Sequence, residues 1–160
     1  MKKIFRFVFG SVEQAQILSK IFINCCGKNK NNFFIKLKKI VIRNKLHKKY
    51  NIIIGDECKI GINLLFPHPQ NIIIGFNVEI GSNCTIYQDV TIGQNRGRYP
   101  KIGNNVIIYP GAKIIGNITI GDNSVIGANA VVTKDVPSGS IVAGIPAKII
   151  KIRGSNDEFH

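Results

Sequence analysis

Acidic residues are scarce in this sequence, and its first third holds almost none of them. Nine Asp and Glu stand against 22 Lys and Arg in the whole chain. Thirteen of the basic residues precede residue 51, where Glu13 is the one acid, so that part carries +12 and the remaining 110 residues carry +1. Two differently built parts therefore share the chain, and the basic part indicates an acidic partner.

Cysteines and long apolar runs are scarce as well. Four cysteines, two of them the adjacent Cys25 and Cys26, argue against a secreted disulfide scaffold. No run reaches the ~18 apolar residues of a membrane span. The start "MKKIFRFVFG" imitates a signal peptide, but Arg6 interrupts it and no cleavage site follows. We expect a cytoplasmic protein with reduced cysteines, in which any membrane contact is peripheral, at the inner face of the cell membrane.

The main feature that is present is a six-residue repeat. Aliphatic residues, usually followed by Gly, recur at this spacing: Ile54, Ile60, Ile74, Ile80, Ile86, Ile92, Ile102, Ile108, Ile114, Ile120, Ile126 and Val132. The fourth residue after each is mostly small or aliphatic: Cys58, Val78, Cys84, Val90, Val106, Ala112, Ile118, Ser124, Ala130 and Val136. A period of six fits neither a helix nor simple strand alternation. It predicts short strands joined by Gly, Asn or Asp corners, three to a coil, with both aliphatic series inside.

These hexapeptides, together with "IYQDVTIG" and "GRYPKIGNNVIIYPGAKIIGNITIGDNSVIGANAVVTKDVPSGSIVAGIPAK", resemble the hexapeptide-repeat acyltransferases, and serine acetyltransferase in particular. The resemblance covers about residues 52–150. It implies a mainly β fold, a left-handed parallel β-helix, with acetyl-CoA as co-substrate and a homotrimer whose active sites lie between subunits. We expect a basic helical segment at 1–50, the β-helix at 51–150 with a projecting loop at 93–101, and a tail at 151–160.

The repeat breaks its register twice, and insertions in such coils often mark the binding face. Four extra residues fall between Ile92 and Ile102, and two fall between Ile60 and Ile74, around "FPHPQ". His68 is the one histidine within the repeat, and imidazole suits a general base near neutral pH. It could also be a merely exposed corner residue. The resemblance favours the base, because "LLFPHPQNIIIG" aligns with the family segment that carries the catalytic histidine.

Other positions depart from the family pattern. The aspartate that orients the catalytic histidine is replaced by Ile53, an acid beside that histidine by Pro67, and a second histidine, in the loop, by Tyr99. Asp89 could orient His68 or contact the acceptor, or it could be a hydrated corner carboxylate. Arg98, with Tyr99, is a candidate acceptor contact on the loop.

A coenzyme groove is implied by the same resemblance. Backbone N–H groups at Gly corners can stabilise the oxyanion of a reacting thioester. The candidates are Gly93 and Gln94 at the acetyl end, Pro110, Gly111, Ala112 and Ala128 along the pantetheine arm, and Lys148 at a phosphate. Each could equally be ordinary filler of the coil. No metal is expected, because a zinc site would need several histidines and the repeat offers one.

The basic segment 33–49 places Phe33, Leu37, Ile40, Val41 and Asn44 at helical spacing. Such a helix could cap the end of the coil, lie on anionic lipid or contact nucleic acid. Capping is the default because solenoids must cover their apolar ends. Lipid contact through residues 28–49 comes next, and nucleic acid last because no recognition motif accompanies the charge.

Together these features predict an acetyl-CoA-dependent O-acetyltransferase with His68 as general base. The favoured acceptor is a sugar of a capsular or O-antigen polysaccharide or of its precursor, by analogy with family members that have a short basic front end. Two alternatives stay open, namely a serine O-acetyltransferase of cysteine biosynthesis and a catalytically silent β-helix that serves as a scaffold.

Overall fold

The computed structural model describes residues 33–152, together with the helical residues Glu13, Gln14, Ile17, Leu18 and Lys20. Predictions that concern Cys25, Cys26, His160 or the signal-like start lie outside these residues. Helix α1 spans Phe33–Tyr50. The strands that follow are β1 (Ile53–Ile54), β2 (Lys59–Ile60), β3 (Ile73–Ile74), β4 (Glu79–Ile80), β5 (Thr85–Ile86), β6 (Thr91–Gly93), β7 (Lys101–Ile102), β8 (Ile107–Ile108), β9 (Lys113–Ile115), β10 (Thr119–Ile120), β11 (Val125–Ile126), β12 (Val131–Val132), β13 (Ser140–Ala143) and β14 (Lys148–Ile152).

The strands form the three faces of a parallel β-helix. Sheet A has the order β1-β3-β6-β9-β12, sheet B the order β10-β7-β4-β2, and sheet C the order β14-β13-β11-β8-β5. The chain visits A, B and C in turn, and each strand pairs in parallel with its counterpart one coil away. The exception is β14, which folds back antiparallel on β13 and extends past residue 150. The predicted mainly β solenoid is confirmed, whereas its left-handed sense stays a prediction.

The repeat accounts for the core. All ten residues of the second series are buried, and so is the first series except the half-buried Ile60. Backbone amides bond from coil to coil, and seven asparagines have positive φ, which their short polar side chains tolerate. Cys58 and Cys84 are buried thiols within the core. The Cys58 thiol donates to the Gly75 carbonyl at 2.8 Å, and burial raises the pKa of Cys84.

The strand register locates the two insertions. Leu65 pairs with Thr85, twenty residues away, whereas Ile73 pairs with Thr91, eighteen away, so the two extra residues lie between Leu65 and Ile73. The four extra residues lie between β6 and β7, because Glu79 pairs with Lys101. Both insertions sit at corners, so the sheets keep their pairing.

Helix α1 packs against the first coil. Ile42, Leu46 and Tyr50 are buried, and the Ile52 amide donates to the Leu46 carbonyl at 3.2 Å. Arg43 pairs with the Asp56 carboxylate at 2.6 Å. The helix therefore caps this end of the coil, as one of the sequence alternatives predicts.

The side of α1 that packs is not the one that the sequence singled out. Phe33, Leu37, Ile40 and Val41 remain exposed, while a stripe on the other side of the helix, centred on Ile42 and Leu46, faces the coil. No helix in the described part of the chain is both long and apolar enough to cross a bilayer.

Candidate functional site

His68 lies at the corner where the first coil passes from sheet C to sheet A. The two extra residues lie at this corner, and Phe66 next to them is the largest of the fully buried side chains. Pro69 is buried as well, whereas His68 is exposed. The Gln70 amide donates to the His68 carbonyl at 2.8 Å, which tightens the turn. The "FPHPQ" stretch thus anchors the corner from inside and presents the imidazole outside.

Two tyrosines continue from His68 along the same corner, which we call the C–A corner. The rings of His68 and Tyr87 have centroids 6.0 Å apart and are tilted by 45°. Tyr87 in turn stacks on Tyr109, with a centroid distance of 5.3 Å and an interplanar angle of 16°. Both distances lie in the range of favourable aromatic pairs. Three rings from three successive coils therefore form a column on the surface.

Asp89 also lies at the C–A corner, but its contacts are structural. It has a φ of 60°, and its Oδ1 accepts a hydrogen bond from Asn71 Nδ2 at 2.7 Å. Asn71 Oδ1 in turn accepts a hydrogen bond from Asn51 Nδ2 at 2.8 Å. Lys113 Nζ donates to the Asp89 backbone carbonyl. Asp89 thus belongs to a ladder of corner side chains, and among the described residues the His68 imidazole has no hydrogen-bond partner. This arrangement favours the corner alternative for Asp89.

The projecting loop is a short hairpin between β6 and β7. Asn95 and Arg98 exchange backbone hydrogen bonds of 3.0 and 3.1 Å, and the two central residues, Arg96 and Gly97, both have positive φ, as in a type I′ turn. Gln94 Oε1 accepts from the Gly97 amide at 2.6 Å. The loop is therefore an ordered structure with a definite shape.

The loop candidates lie at a different corner from His68. Gly93, Gln94, Arg98 and Tyr99 are at the turn from sheet A to sheet B, which we call the A–B corner. Arg98 is exposed, while the half-buried Tyr99 folds back over Gly75, where a Cβ would lie 3.2 Å from the ring. A single copy of the chain therefore does not bring His68 together with Arg98 and Tyr99.

The remaining coenzyme candidates spread along the C–A corner and beyond. Pro110 and Gly111 are half-buried and Ala128 is exposed, all in the coils after Asp89. Gly111 has a φ of 75°, and a Cβ there would meet Asn129 Oδ1, so its lack of a side chain also serves the fold. Ala112 is fully buried, which leaves only its backbone for a ligand. Lys148 is exposed on β14.

The tyrosine column was missed at the sequence level. Tyr87 and Tyr109 are 22 residues apart, which equals one coil plus the four-residue loop. Aligning the repeat across that loop would have revealed two aromatic residues at one corner beside His68.

Among the described residues there is no cluster of three or more His, Cys, Asp or Glu that could hold a metal ion.

The chain forms a parallel β-helix of hexapeptide coils and exposes an imidazole at a widened corner. Comparisons with known proteins show similarity to hexapeptide-repeat transferases. Residues 99–134 match the family model described as bacterial transferase hexapeptide (six repeats). The chain is 45% identical to the serine acetyltransferase of Staphylococcus xylosus over 127 residues, which are 74% of this chain and 59% of that protein.

Solved structures of serine acetyltransferases are similar to most of this chain. A serine acetyltransferase in complex with CoA aligns with a TM-score of 0.71 and 31% identity over 83% of this chain and 55% of that chain. A serine acetyltransferase in complex with cysteine aligns with a TM-score of 0.74 and 30% identity. This alignment covers 85% of this chain and 54% of that chain. The chain spans about half the length of the curated relatives it matches, between 47% and 59% in the first of them. The predicted resemblance to hexapeptide-repeat, serine acetyltransferase-like proteins is confirmed.

Proposed function

We propose that this protein is an acetyl-CoA-dependent O-acetyltransferase in which His68 is the general base. The observation that carries the proposal is the exposed imidazole on the widened corner, in a coil similar to that of a serine acetyltransferase bound to CoA. His68 would accept the proton of the acceptor hydroxyl as its oxygen attacks the thioester carbonyl. The C–S bond then breaks, and the imidazolium returns the proton to the leaving thiolate.

Serine is the acceptor that the relatives favour, since those we compared are serine acetyltransferases. They support this alternative better than the polysaccharide sugar that the sequence analysis placed first. One observation keeps a sugar hydroxyl as the second candidate. Where the resemblance puts acids for orienting the histidine and holding the amino acid, this chain has Ile53 and Pro67, and Asp89 is bonded to Asn71.

For the coenzyme, the described residues offer a surface with little side-chain bulk. Gly111 and Ala128 follow the tyrosines along the C–A corner. At the A–B corner, a Cβ added to Gly93 would have no neighbouring atom nearer than 3.5 Å. When bound, acetyl-CoA supplies the activated acetyl group. The amides near Gly93 and Gln94 are the candidates to stabilise the developing oxyanion.

We further propose a homotrimer with shared active sites. The proposal is supported by the positions of His68 and the hairpin with Arg98 at different corners of one chain. In the proposed trimer, a neighbouring copy would present its A–B corner to the C–A corner. Sedimentation would give the oligomeric state. Co-expression of His68→Ala and Arg98→Ala chains would test the sharing, because a mixed trimer retains one site with both residues intact.

The decisive experiment measures thiol release from acetyl-CoA with serine and a panel of cell-surface sugars. We expect His68→Ala to lower kcat by about 10² or more, whereas the matched control His47→Ala, an exposed histidine on α1, should retain wild-type turnover. The acceptor with the highest kcat/KM decides between serine and sugar. Absence of both turnover and CoA binding would instead support the silent scaffold, and equal activity of wild type and His68→Ala would reject the base.

A further inference from the structure

The outer face of α1, which we define as Phe33, Leu37, Ile40 and Val41, is an apolar surface without an assigned role. These side chains are 70%, 49%, 45% and 48% exposed, although they lie within little more than two turns of helix. A helix that covers a core on one side normally shows a polar surface on the other. Clustered apolar side chains on the solvent side instead mark an interaction site.

Positive charge surrounds the outer face. α1 contains seven Lys and Arg and no Asp or Glu. Lys39 and Arg43 reach Asp56 on the coil, and Lys49 donates to Gln14 Oε1. Four further lysines are exposed, namely Lys36, Lys38, Lys45 and Lys48. An apolar strip bordered by lysines is complementary to a surface in which hydrocarbon lies beneath anionic groups.

We propose that the outer face of α1 docks the protein on an anionic lipid bilayer, with the helix lying in the plane of the interface. Phe33 and Leu37 enter the boundary of the acyl chains, and the lysine stems extend alongside them to the headgroups. Nucleic acid would satisfy the charge but offers no hydrocarbon for these two residues. A second copy of the helix would bring like charges together, so lipid is the occupant that fits both properties.

Docking would also orient the rest of the molecule. The Asn71 amide donates to the Tyr50 carbonyl at 3.0 Å, and the Ile52 amide to the Leu46 carbonyl at 3.2 Å, so α1 is fastened to the first coil. That coil carries the His68 corner, which would then lie near the bilayer. This proposal does not depend on the acetyl transfer reaction, and its test requires no activity.

The test is sedimentation of the full chain with two kinds of vesicle. One kind contains phosphatidylcholine alone. In the other, roughly a third of the lipid is phosphatidylserine, which makes the vesicle surface negative. We expect the protein to bind only the vesicles that contain phosphatidylserine, and we expect this binding to weaken as the salt concentration rises. Leu37→Ser should weaken binding about tenfold, as expected for loss of one buried apolar side chain. Lys45→Gln should weaken it about fivefold. Ile62→Ser is the matched control, because Ile62 is 71% exposed on the coil, and it should bind like wild type.

Three outcomes would overturn the proposal. The first is no binding to anionic vesicles, or equal binding to both kinds. The second is equal loss of binding in Leu37→Ser and Ile62→Ser. The third is a change of oligomeric state in Leu37→Ser together with unchanged vesicle binding, which would make the outer face a contact between copies. Because the substituted side chains are exposed, all three variants should keep the wild-type Tm, and this measurement separates loss of binding from loss of folding.

A second inference concerns the ring column, and it rests on the proposed function of His68. We infer that Tyr87 and Tyr109 are positioning residues for the imidazole. No carboxylate among the described residues bonds to His68, and Ile53 occupies the position where the resemblance places an orienting aspartate. The ring of Tyr87 contacts the imidazole, and stacking on Tyr109 limits the movement of Tyr87. Aromatic contact would thus take over the orienting task of the missing acid.

Two measurements test this positioning separately from the reaction. In protein with labelled histidine, Tyr87→Leu should shift the NMR signals of the His68 ring, because the ring current of Tyr87 is lost, while Tyr87→Phe should leave them in place. In turnover assays Tyr87→Leu should lower kcat about tenfold, with KM for acetyl-CoA unchanged and with rescue by Tyr87→Phe. Unchanged NMR signals and kcat in Tyr87→Leu would overturn the inference. A wild type without turnover would reject the proposed function, and the NMR shift would still report whether the rings touch.

Discussion

Replacing Phe66 by alanine tests whether this side chain holds the widened corner together. Phe66 is completely buried, and the two extra residues of the coil lie directly beside it. The substitution removes a whole aromatic ring from a closed interior, and such changes cost about 3–5 kcal/mol. The corner is bounded by Pro69 and by the hydrogen-bonded sheets, which limits how far it can collapse, so we expect about 4 kcal/mol.

The measurement is urea unfolding followed by circular dichroism, with the free energy taken from the linear extrapolation. In a chain of this length about 4 kcal/mol corresponds to a Tm lowered by about 8–16 °C. The matched control is Ile86→Val, a fully buried residue of the next, regular coil, for which we expect about 1 kcal/mol. If Phe66→Ala costs no more than this control, the idea that Phe66 fills space created by the insertion is refuted.

Three further predictions concern single side chains. Gly103→Ala should destabilise the coil by about 1–3 kcal/mol in the same assay, because its Cβ would collide with Asp122 Oδ1 and lie 2.8 Å from the Asp122 amide nitrogen. Cys84 should resist alkylation at pH 8 in the folded protein and react in urea, as mass spectrometry can show, because burial raises its pKa and blocks access. The pKa of Glu79 is lowered, first by its hydrogen bond to Lys59, so its stabilisation is present above pH 4.5 and disappears as the pH falls through the lowered pKa. Glu79→Gln should therefore cost about 0.5 kcal/mol at pH 7 after solvent screening and nothing in strong acid.

The coil was predictable because its pattern is local. With a period of six, each residue's position in the repeat decides whether it points inward, so Cys84 and Ser124 could be placed in the core despite their chemistry. The same count located both insertions, and the register of the strands bears it out. The spacing of residues along the chain was therefore sufficient to predict the strand pairing, because each partner strand lies one coil away.

The packing of α1 and the geometry of the site were less predictable. The helix carries apolar residues on two sides, and only the shape of the coil's end decides that Ile42 and Leu46 pack while Leu37 does not. Resemblance grouped His68 and Arg98 in one site, but resemblance does not tell whether one chain or two neighbouring chains supply them. In three dimensions they lie at two corners of one chain.

The short range of the strand pairing has a consequence for how the chain folds. Each parallel pair joins residues only 16 to 22 positions apart, so no long loop must close before a contact forms, and the entropic cost of each step stays small. Once two coils have formed, every later coil adds onto an existing edge, as in other solenoids whose repeats contact only their neighbours. Folding can therefore proceed by growth from a nucleus, and the rate of that growth should depend little on how many coils remain to be added.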